Sequence, residues 1–234
     1  MSPINTKGII PRAWRVIRRV LLFLFILQFV YIFLLKWVNP PITLTQMGSL
    51  LGGDGLKRSY VGMKDISPYA KLAVISTEDQ LFPDHDGFDF KNIEKAMKHN
   101  QKSKSLHGAS TISQQVAKNV FLWQGRSWLR KGLEVYFTFM IELVWGKRRI
   151  LEMYLNVSEM GKGIYGIEAA AHYYFKKPAR TLTRVEAAKI AACLPNPKIY
   201  TIKPLSDHVA NRAAWALGQM SHLQEDPDIQ KLLQ

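Results

Sequence analysis

The sequence predicts a mainly α-helical protein with a single N-terminal transmembrane helix. Beyond about residue 65, apolar residues recur at helical spacing in most segments, and strand-like alternation is scarce. One uninterrupted apolar run of about 19 residues near the N-terminus suits a bilayer-spanning helix. The length of 234 residues predicts one or two domains, with a core large enough to need no disulfides.

The charge balance is strongly basic, with 32 Lys and Arg against 18 Asp and Glu and a net charge of +14. This predicts an acidic partner, which could be a phosphate, a nucleic acid or an anionic membrane. The single cysteine, Cys193, excludes an internal disulfide and a Cys-rich metal site. It lies in an apolar run, which favours a small buried residue over a reactive thiol.

The first 19 residues are predicted to form a basic cytoplasmic tail, and residues 20–38 a transmembrane helix. No small-residue cleavage site follows this run, and Pro40 and Pro41 end it, so we expect an anchor rather than a cleaved signal peptide. The five cations of the tail place the N-terminus in the cytoplasm and the chain beyond about residue 40 outside, on the periplasmic or outer face of a bacterium. They are Lys7, Arg12, Arg15, Arg18 and Arg19.

Residues 39–62 are rich in glycine and lack a helical period, which predicts an irregular or short-strand connector. Ser67 and Pro68 then begin a helix as N-cap and first residue. This helix carries Glu78 to its end, beside a turn that Gly87 helps to form. A carboxylate held still and partly desolvated there is a candidate general base. The alternative is that Glu78 and Asp79 only solvate a helix end.

A helix capped by Asp89 is predicted next, with Phe90, Ile93 and Met97 on its apolar face, followed by a mobile polar loop over residues 98–107. The segment after it places Ile112, Val116 and Val120 on one helical face. On another face the polar residues repeat every four positions, which indicates either a cleft lining or a solvated surface. These polar residues are Ser110, Gln114 and Lys118.

The following helix pairs Arg130 with Glu134 at i, i+4 and is predicted to bury five apolar residues, Leu133, Phe137, Met140, Ile141 and Val144. The run Gly161–Gly166 matches a dinucleotide-binding pattern, but it follows a helix, so we expect a tight interhelical turn that allows close backbone approach. Thr183 and Glu186 predict a capping box. A final amphipathic helix precedes a predicted polar tail over residues 223–234.

Several ordered blocks together resemble the peptidoglycan glycosyltransferase family. They are Glu78–Asp89, Gly108–Asn119, Arg130–Glu134, Lys147–Asn156 with Gly161–Phe175, and Glu186–Pro197. The resemblance covers about residues 60–220. It implies a lysozyme-like, mainly α glycosyltransferase domain, placed at residues 63–222, with residues 39–62 as a connector or jaw beside the cleft.

The resemblance also implies an activity, which is polymerisation of the lipid-linked disaccharide-peptide lipid II with release of undecaprenyl diphosphate and inversion at the sugar. In this family pattern Glu78 matches the general base that acts on the acceptor 4-hydroxyl, and Glu134 matches a second catalytic glutamate. Lys118 and Arg130 match residues that bind the donor diphosphate. The expected partners are lipid II, the growing glycan strand and the lipid bilayer of the inner membrane, with division or elongation proteins as further candidates and nucleic acid excluded.

By the same resemblance Ser110 and Gln114 line the diphosphate site, and Asn156 and the Gly161–Gly166 turn shape the cleft wall. No cofactor is required, although a divalent cation, Mg or Mn, could assist the diphosphate. Two other function classes remain open. A lysozyme-like muramidase or lytic transglycosylase would cleave glycan and would have no diphosphate for Lys118 and Arg130 to bind, whereas a membrane-anchored wall-binding scaffold would not need Glu78.

Overall fold

The computed structural model of the chain describes residues 9–102, 108–125 and 127–234, which form two compact units, Met1–Val38 and Asn39–Gln234. The first unit contains α1 (Ile9–Leu34), whose stretch Trp14–Leu34 is long and apolar enough to cross a membrane, with a mean hydropathy of 2.1. The predicted span of residues 20–38 extends too far, because the helix ends at Leu34 and residues 35–38 form a turn. Much of the predicted basic tail is helical as well, since α1 begins at Ile9.

The second unit is mainly helical, which confirms the predicted fold class. Its helices are α2 (Leu44–Leu51), α3 (Pro68–Glu78), α4 (Phe90–Lys102), α5 (Ile112–Phe121), α6 (Trp128–Trp145), α7 (Lys147–Val157), α8 (Ile167–Phe175), α9 (Arg184–Cys193), α10 (Asp207–Leu223) and α11 (Pro227–Leu233). Single turns of 3₁₀ helix lie at Met63–Asp65 and Ala179–Thr181.

The central helix of this unit is α3, which is buried from Ala70 to Ser76. It is covered because α9, α10 and α11 all pack against it. A helix without a polar face is stable only when surrounded in this way. The other half of the core is formed by α5 packing on α6 and α7. Glu78, the last residue of α3, therefore lies at the end of a rigid, fully packed element.

A small sheet closes one side of the unit. Strand β1 (Lys57–Arg58) pairs in parallel with β3 (Ile164–Tyr165), which pairs antiparallel with β2 (Glu159–Gly161). The predicted interhelical turn at Gly161–Gly166 is thus a β-hairpin instead. The predicted close backbone approach is confirmed, since a Cβ on Gly163 (φ +68°) would lie 2.2 Å from the backbone oxygen of Asp54.

Three local predictions are wrong. The connector over residues 39–62 contains a short strand, β1, as predicted, but it also contains α2, which begins with a capping box between Thr43 and Gln46 and buries Ser49. Helix α4 continues to Lys102, so residues 98–102 are not a loop, while residues 103–107 lie outside the described chain. The predicted polar tail contains α11, because Asp226 caps it and its apolar side chains pack inward. These side chains are Ile229, Leu232 and Leu233.

Two predicted apolar faces are only partly buried. On α4, Phe90 is 75% exposed and Met97 is 59% exposed. On α6, Met140 and Ile141 are buried as predicted, whereas Leu133, Phe137 and Val144 are half-buried. Helix α6 also exposes a second set of large apolar side chains, Trp128, Leu129, Val135, Phe139 and Leu143. Both helices therefore present apolar surface outward, which is unusual unless a partner covers it.

The helix starts at Ser67 and Thr183 are confirmed. The Ser67 hydroxyl accepts a hydrogen bond from the backbone N–H of Tyr69, at 3.2 Å, and donates one to the Leu182 carbonyl, at 2.8 Å. The Thr183–Glu186 capping box is present. Because Ser67 bonds to both its own helix and the segment before α9, it fixes the register of α3 against α9.

Candidate active site

Glu78 ends α3 and meets side chains from two other helices, α5 and α10. Gln115 on α5 donates a hydrogen bond from Nε2 to Glu78 Oε2, at 2.9 Å. Arg212 on α10 lies beside it and donates from Nη2 to the carbonyl of Thr77, at 3.4 Å. Burial raises the pKa of Glu78, although the Gln115 hydrogen bond and the charges of Arg212 and Lys118 act in the opposite direction. The carboxylate is thus fixed, desolvated and flanked by cations.

The residue after it, Asp79, connects the turn to α5. Its Oδ1 lies 3.0 Å from Nε2 of His85, and its Oδ2 accepts a 2.9 Å hydrogen bond from the backbone N–H of Ile112. The backbone N–H of Gly87 donates to His85 Nδ1, at 3.1 Å, and its carbonyl accepts from the Thr111 hydroxyl, at 2.7 Å. Asp79 is therefore committed to holding the turn, which leaves Glu78 as the carboxylate available for proton transfer.

The polar residues predicted to share one face of α5 have different environments in the structure. Ser110 precedes the helix and is exposed. Gln114 forms a capping box with Thr111, so its side-chain oxygen accepts from the Thr111 backbone N–H, at 3.0 Å. Gln115, one position on, is the residue that contacts Glu78. The prediction for this face therefore missed the residue that contacts the base.

Lys118 and Arg130 both lie near Glu134. The buried Glu134 carboxylate accepts from Arg130 Nη1, at 2.7 Å, and from Lys131 Nζ, at 2.6 Å. Burial lowers the pKa of Lys118, while the negative charge of Glu134 raises it and the positive charge of Arg130 lowers it. Within the described chain, no carboxylate lies within ion-pair distance of Lys118 Nζ, so its charge is available to a ligand.

A cavity of about 490 Å³ extends from Lys118 across the face of the unit. Its walls come from α2, α5, the hairpin region and the segment after α9. The lining includes several charged and hydrogen-bonding side chains, which a sugar or diphosphate ligand can use. Gln115, Lys118 and Tyr154 are among the lining residues.

Asn156 links α7 to the segment that follows α2. Its side chain is fully buried, and it forms two 2.9 Å hydrogen bonds with the backbone of Val61, accepting from the N–H and donating to the carbonyl. It also donates to the Glu152 carbonyl. The chain that follows α2 is thereby fixed to α7. Asn156 therefore positions backbone, and its predicted part in shaping the cleft wall stays a prediction.

Sequence reasoning also missed Tyr154 and Arg212. Tyr154 lies on α7, and its hydroxyl donates to Gln115 Oε1 at 3.2 Å. Arg212 lies in a helix predicted solely as amphipathic. The sequence signals that could have indicated these two residues were a tyrosine among apolar helix positions and an arginine beside small apolar residues. Among the described residues no group of three or more His, Cys, Asp or Glu side chains is arranged to hold a metal ion.

Comparison with known proteins identifies relatives of the whole second unit. A family model described as Transglycosylase matches residues 45–221. A protein of Haemophilus influenzae named biosynthetic peptidoglycan transglycosylase is 46% identical over 222 residues, which cover 91% of this chain and 90% of that protein. Proteins of the same name from Mannheimia succiniciproducens and Escherichia coli are 57% and 55% identical, over 70% and 74% of this chain and 67% and 72% of their own lengths.

Proposed function

Since the chain belongs to the transglycosylase family and is a peptidoglycan glycosyltransferase, we propose that it polymerises lipid II with Glu78 as the general base. The acceptor 4-hydroxyl attacks the anomeric carbon of the donor sugar and gives its proton to Glu78. The bond from that carbon to the diphosphate oxygen breaks, and undecaprenyl diphosphate leaves. Attack opposite the leaving group inverts the anomeric centre.

The environment of Glu78 supports its role as base. A carboxylate whose pKa is raised toward the working pH is a better proton acceptor than one of ordinary pKa. Burial supplies that rise, and the Gln115 hydrogen bond holds one oxygen so that the other can face the acceptor hydroxyl. Asp79 cannot replace it, because both its oxygens are engaged by His85 and Ile112.

The observation that carries the proposal is the charge of Lys118. A half-buried ammonium in the cleft, with no carboxylate within ion-pair distance in the described parts of the chain, is stabilised when an anion binds. A diphosphate leaving group is such an anion, and it develops charge as the bond breaks. A muramidase that cleaves glycan would offer no anion of this kind.

Glu134 is proposed to organise the cations rather than to transfer a proton. Each of its oxygens accepts from a different cation, Arg130 or Lys131. With both oxygens engaged, the carboxylate holds the two cations in fixed positions. Among the described residues the buried Nε of Arg130 has no hydrogen-bond partner, while Nη1 of the same guanidinium binds Glu134.

The exposed apolar surfaces support action at a lipid bilayer. The first unit offers a helix long enough to span one, and α4 and α6 of the second expose large apolar side chains such as Phe90, Trp128 and Leu143. Apolar surface of this kind favours contact with a membrane that contains the lipid-linked substrate. We propose a single-pass protein of the bacterial inner membrane, with its N-terminus cytoplasmic and its catalytic unit periplasmic.

The test is polymerisation of labelled lipid II by wild type and Glu78→Gln. The substitution keeps size but removes the base, so activity should fall by about 10²–10⁴-fold. Glu225→Gln is the control, since it removes an exposed carboxylate between α10 and α11. Full activity of Glu78→Gln would overturn the proposed mechanism.

A further inference from the structure

A hydrogen-bonded chain leads from the interior of the unit to Glu78. The hydroxyl of Tyr154, whose side chain is 1% exposed, donates to Gln115 Oε1 at 3.2 Å. Gln115 Nε2 in turn donates to Glu78 Oε2 at 2.9 Å. Tyr154 lies on α7, Gln115 on α5 and Glu78 at the end of α3, so the chain links three helices.

The orientation of the Gln115 amide determines whether a hydrogen-bond donor or an acceptor faces the Glu78 carboxylate. One end of an amide group donates hydrogen bonds and the other accepts them. With the carbonyl end occupied by the Tyr154 hydroxyl, the NH₂ end faces the carboxylate and stabilises its ionised form. The reversed amide would set a carbonyl oxygen against a carboxylate and would favour protonated Glu78.

We propose that Tyr154 is a positioning residue for the reaction, which acts through Gln115 to orient the Glu78 carboxylate and keep it ionised. This inference rests on the proposed role of Glu78 as the base. Tyr154 suits the task because its phenol is buried and its pKa is raised well above the ordinary value by that burial, so the hydroxyl remains protonated and can donate.

The other groups around Glu78 cannot supply the same effect. Asp79 follows it on the turn, Lys118 faces it from α5 and Arg212 faces it from α10. All three act on the carboxylate through charge, which fixes neither the rotation of the Glu78 side chain nor the orientation of Gln115. A variant that removes only the Tyr154 hydroxyl leaves these charges in place and isolates the hydrogen-bonded chain.

The experiment compares Tyr154→Phe in the full chain with Tyr174→Phe as control. The Tyr174 side chain is also buried, but its hydroxyl donates to the Met160 carbonyl, at 3.3 Å. In Tyr154→Phe we expect kcat to fall about tenfold, the size of one lost hydrogen bond, with KM for lipid II little changed. The acidic limb of the pH–rate profile should move upward by about half a pH unit, because less stabilisation of the carboxylate raises the pKa of Glu78. Tyr174→Phe should leave the profile unmoved.

The double variant tests the connection through Gln115. When Gln115→Ala has already removed the intermediate amide, adding Tyr154→Phe should cost no further activity. Equal losses from Tyr154→Phe in the two backgrounds would overturn the proposal and make Tyr154 a packing residue.

A readout independent of activity separates this proposal from the assignment of the base. The Glu78 carboxyl can be followed by ¹³C NMR of glutamate-labelled protein, with its signal identified by its loss in Glu78→Gln. Its titration should move to higher pH in Tyr154→Phe. If the titration of Glu78 does not move in Tyr154→Phe, only the role of Tyr154 is refuted. An active Glu78→Gln enzyme would instead refute the proposed function. Folding of each variant is checked by its thermal unfolding midpoint, so that activity is compared per folded protein.

Discussion

Replacing Lys118 gives the sharpest test of diphosphate binding. Lys118→Met keeps most of the apolar stem and removes the charge, and Lys118→Arg keeps the charge on a different group. A charge-assisted hydrogen bond contributes about 1.5–3 kcal/mol. Its loss in Lys118→Met should therefore weaken binding of the lipid-linked diphosphate by roughly 10- to 150-fold.

The pH dependence makes this prediction specific. Burial lowers the pKa of Lys118, so the ammonium loses its proton at a lower pH than an exposed lysine does. Diphosphate binds the protonated form, and affinity should fall as pH rises through that lowered pKa. Lys118→Arg should abolish this alkaline loss, because arginine stays protonated throughout the range. The expected profile of wild-type activity is a bell, rising as Glu78 ionises and falling as Lys118 deprotonates.

The assay measures donor and acceptor sides separately. Competition by geranylgeranyl diphosphate reports the diphosphate site, and competition by a lipid-free glycan fragment reports the sugar side. We expect Lys118→Met to lose affinity for geranylgeranyl diphosphate and to retain affinity for the glycan fragment. Equal losses would show that Lys118 holds the cleft together structurally. If affinity for the diphosphate still falls at high pH in Lys118→Arg, the alkaline limb of the pH profile belongs to another group.

Two further predictions concern packing around the site and the core. Gly87→Ala should lower stability by about 1–3 kcal/mol and should also lower polymerisation, because a Cβ at φ +88° would lie 2.8 Å from Thr138 Cγ2. The control is Gly218→Ala in α10, where a Cβ would have no atom within 4 Å. This control should stabilise the protein by about 0.5–1 kcal/mol. An unchanged unfolding midpoint in Gly87→Ala would contradict the steric argument. Ile229→Ala should cost about 2–5 kcal/mol, because the side chain is 1% exposed where α11 packs on the core, and calorimetry measures it. A loss below about 0.5 kcal/mol would show that α11 is not part of the cooperative unit.

The sequence predicted helices well where a local signal and apolar spacing agreed. Ser67 with Pro68, and Thr183 with Glu186, marked helix starts that the structure confirms. The same signals were present and overlooked at Thr43 with Gln46, which begins α2, and at Asp226 with Pro227, which begins α11. These two helices are only 8 and 7 residues long, too short for apolar periodicity to show clearly.

The site was predicted less completely, because its geometry depends on contacts between helices. Glu78 was predicted from its position at a helix end and Lys118 from a polar helix face, whereas the role of Glu134 came from the family resemblance alone. The structure places the three near one another. The spacing of four along α5 selected Gln114 over Gln115. Gln114 is occupied by the helix cap, and only the packing of α3 beside α5 shows that Gln115 faces the base.

The contacts that hold the base also set the order in which the enzyme can become active. Gln115, which hydrogen-bonds to Glu78, lies 37 positions further along the chain. Arg212, which hydrogen-bonds to the carbonyl of Thr77, lies 135 positions beyond Thr77. Such sequence-distant contacts form late, because loop closure must precede them. A chain that has folded α3 and α5 but has not yet docked α10 has Glu78 without Arg212 beside it. Turnover in this enzyme therefore reports completion of the whole helical unit, and a fragment ending before α10 should be inactive even if its remaining helices form.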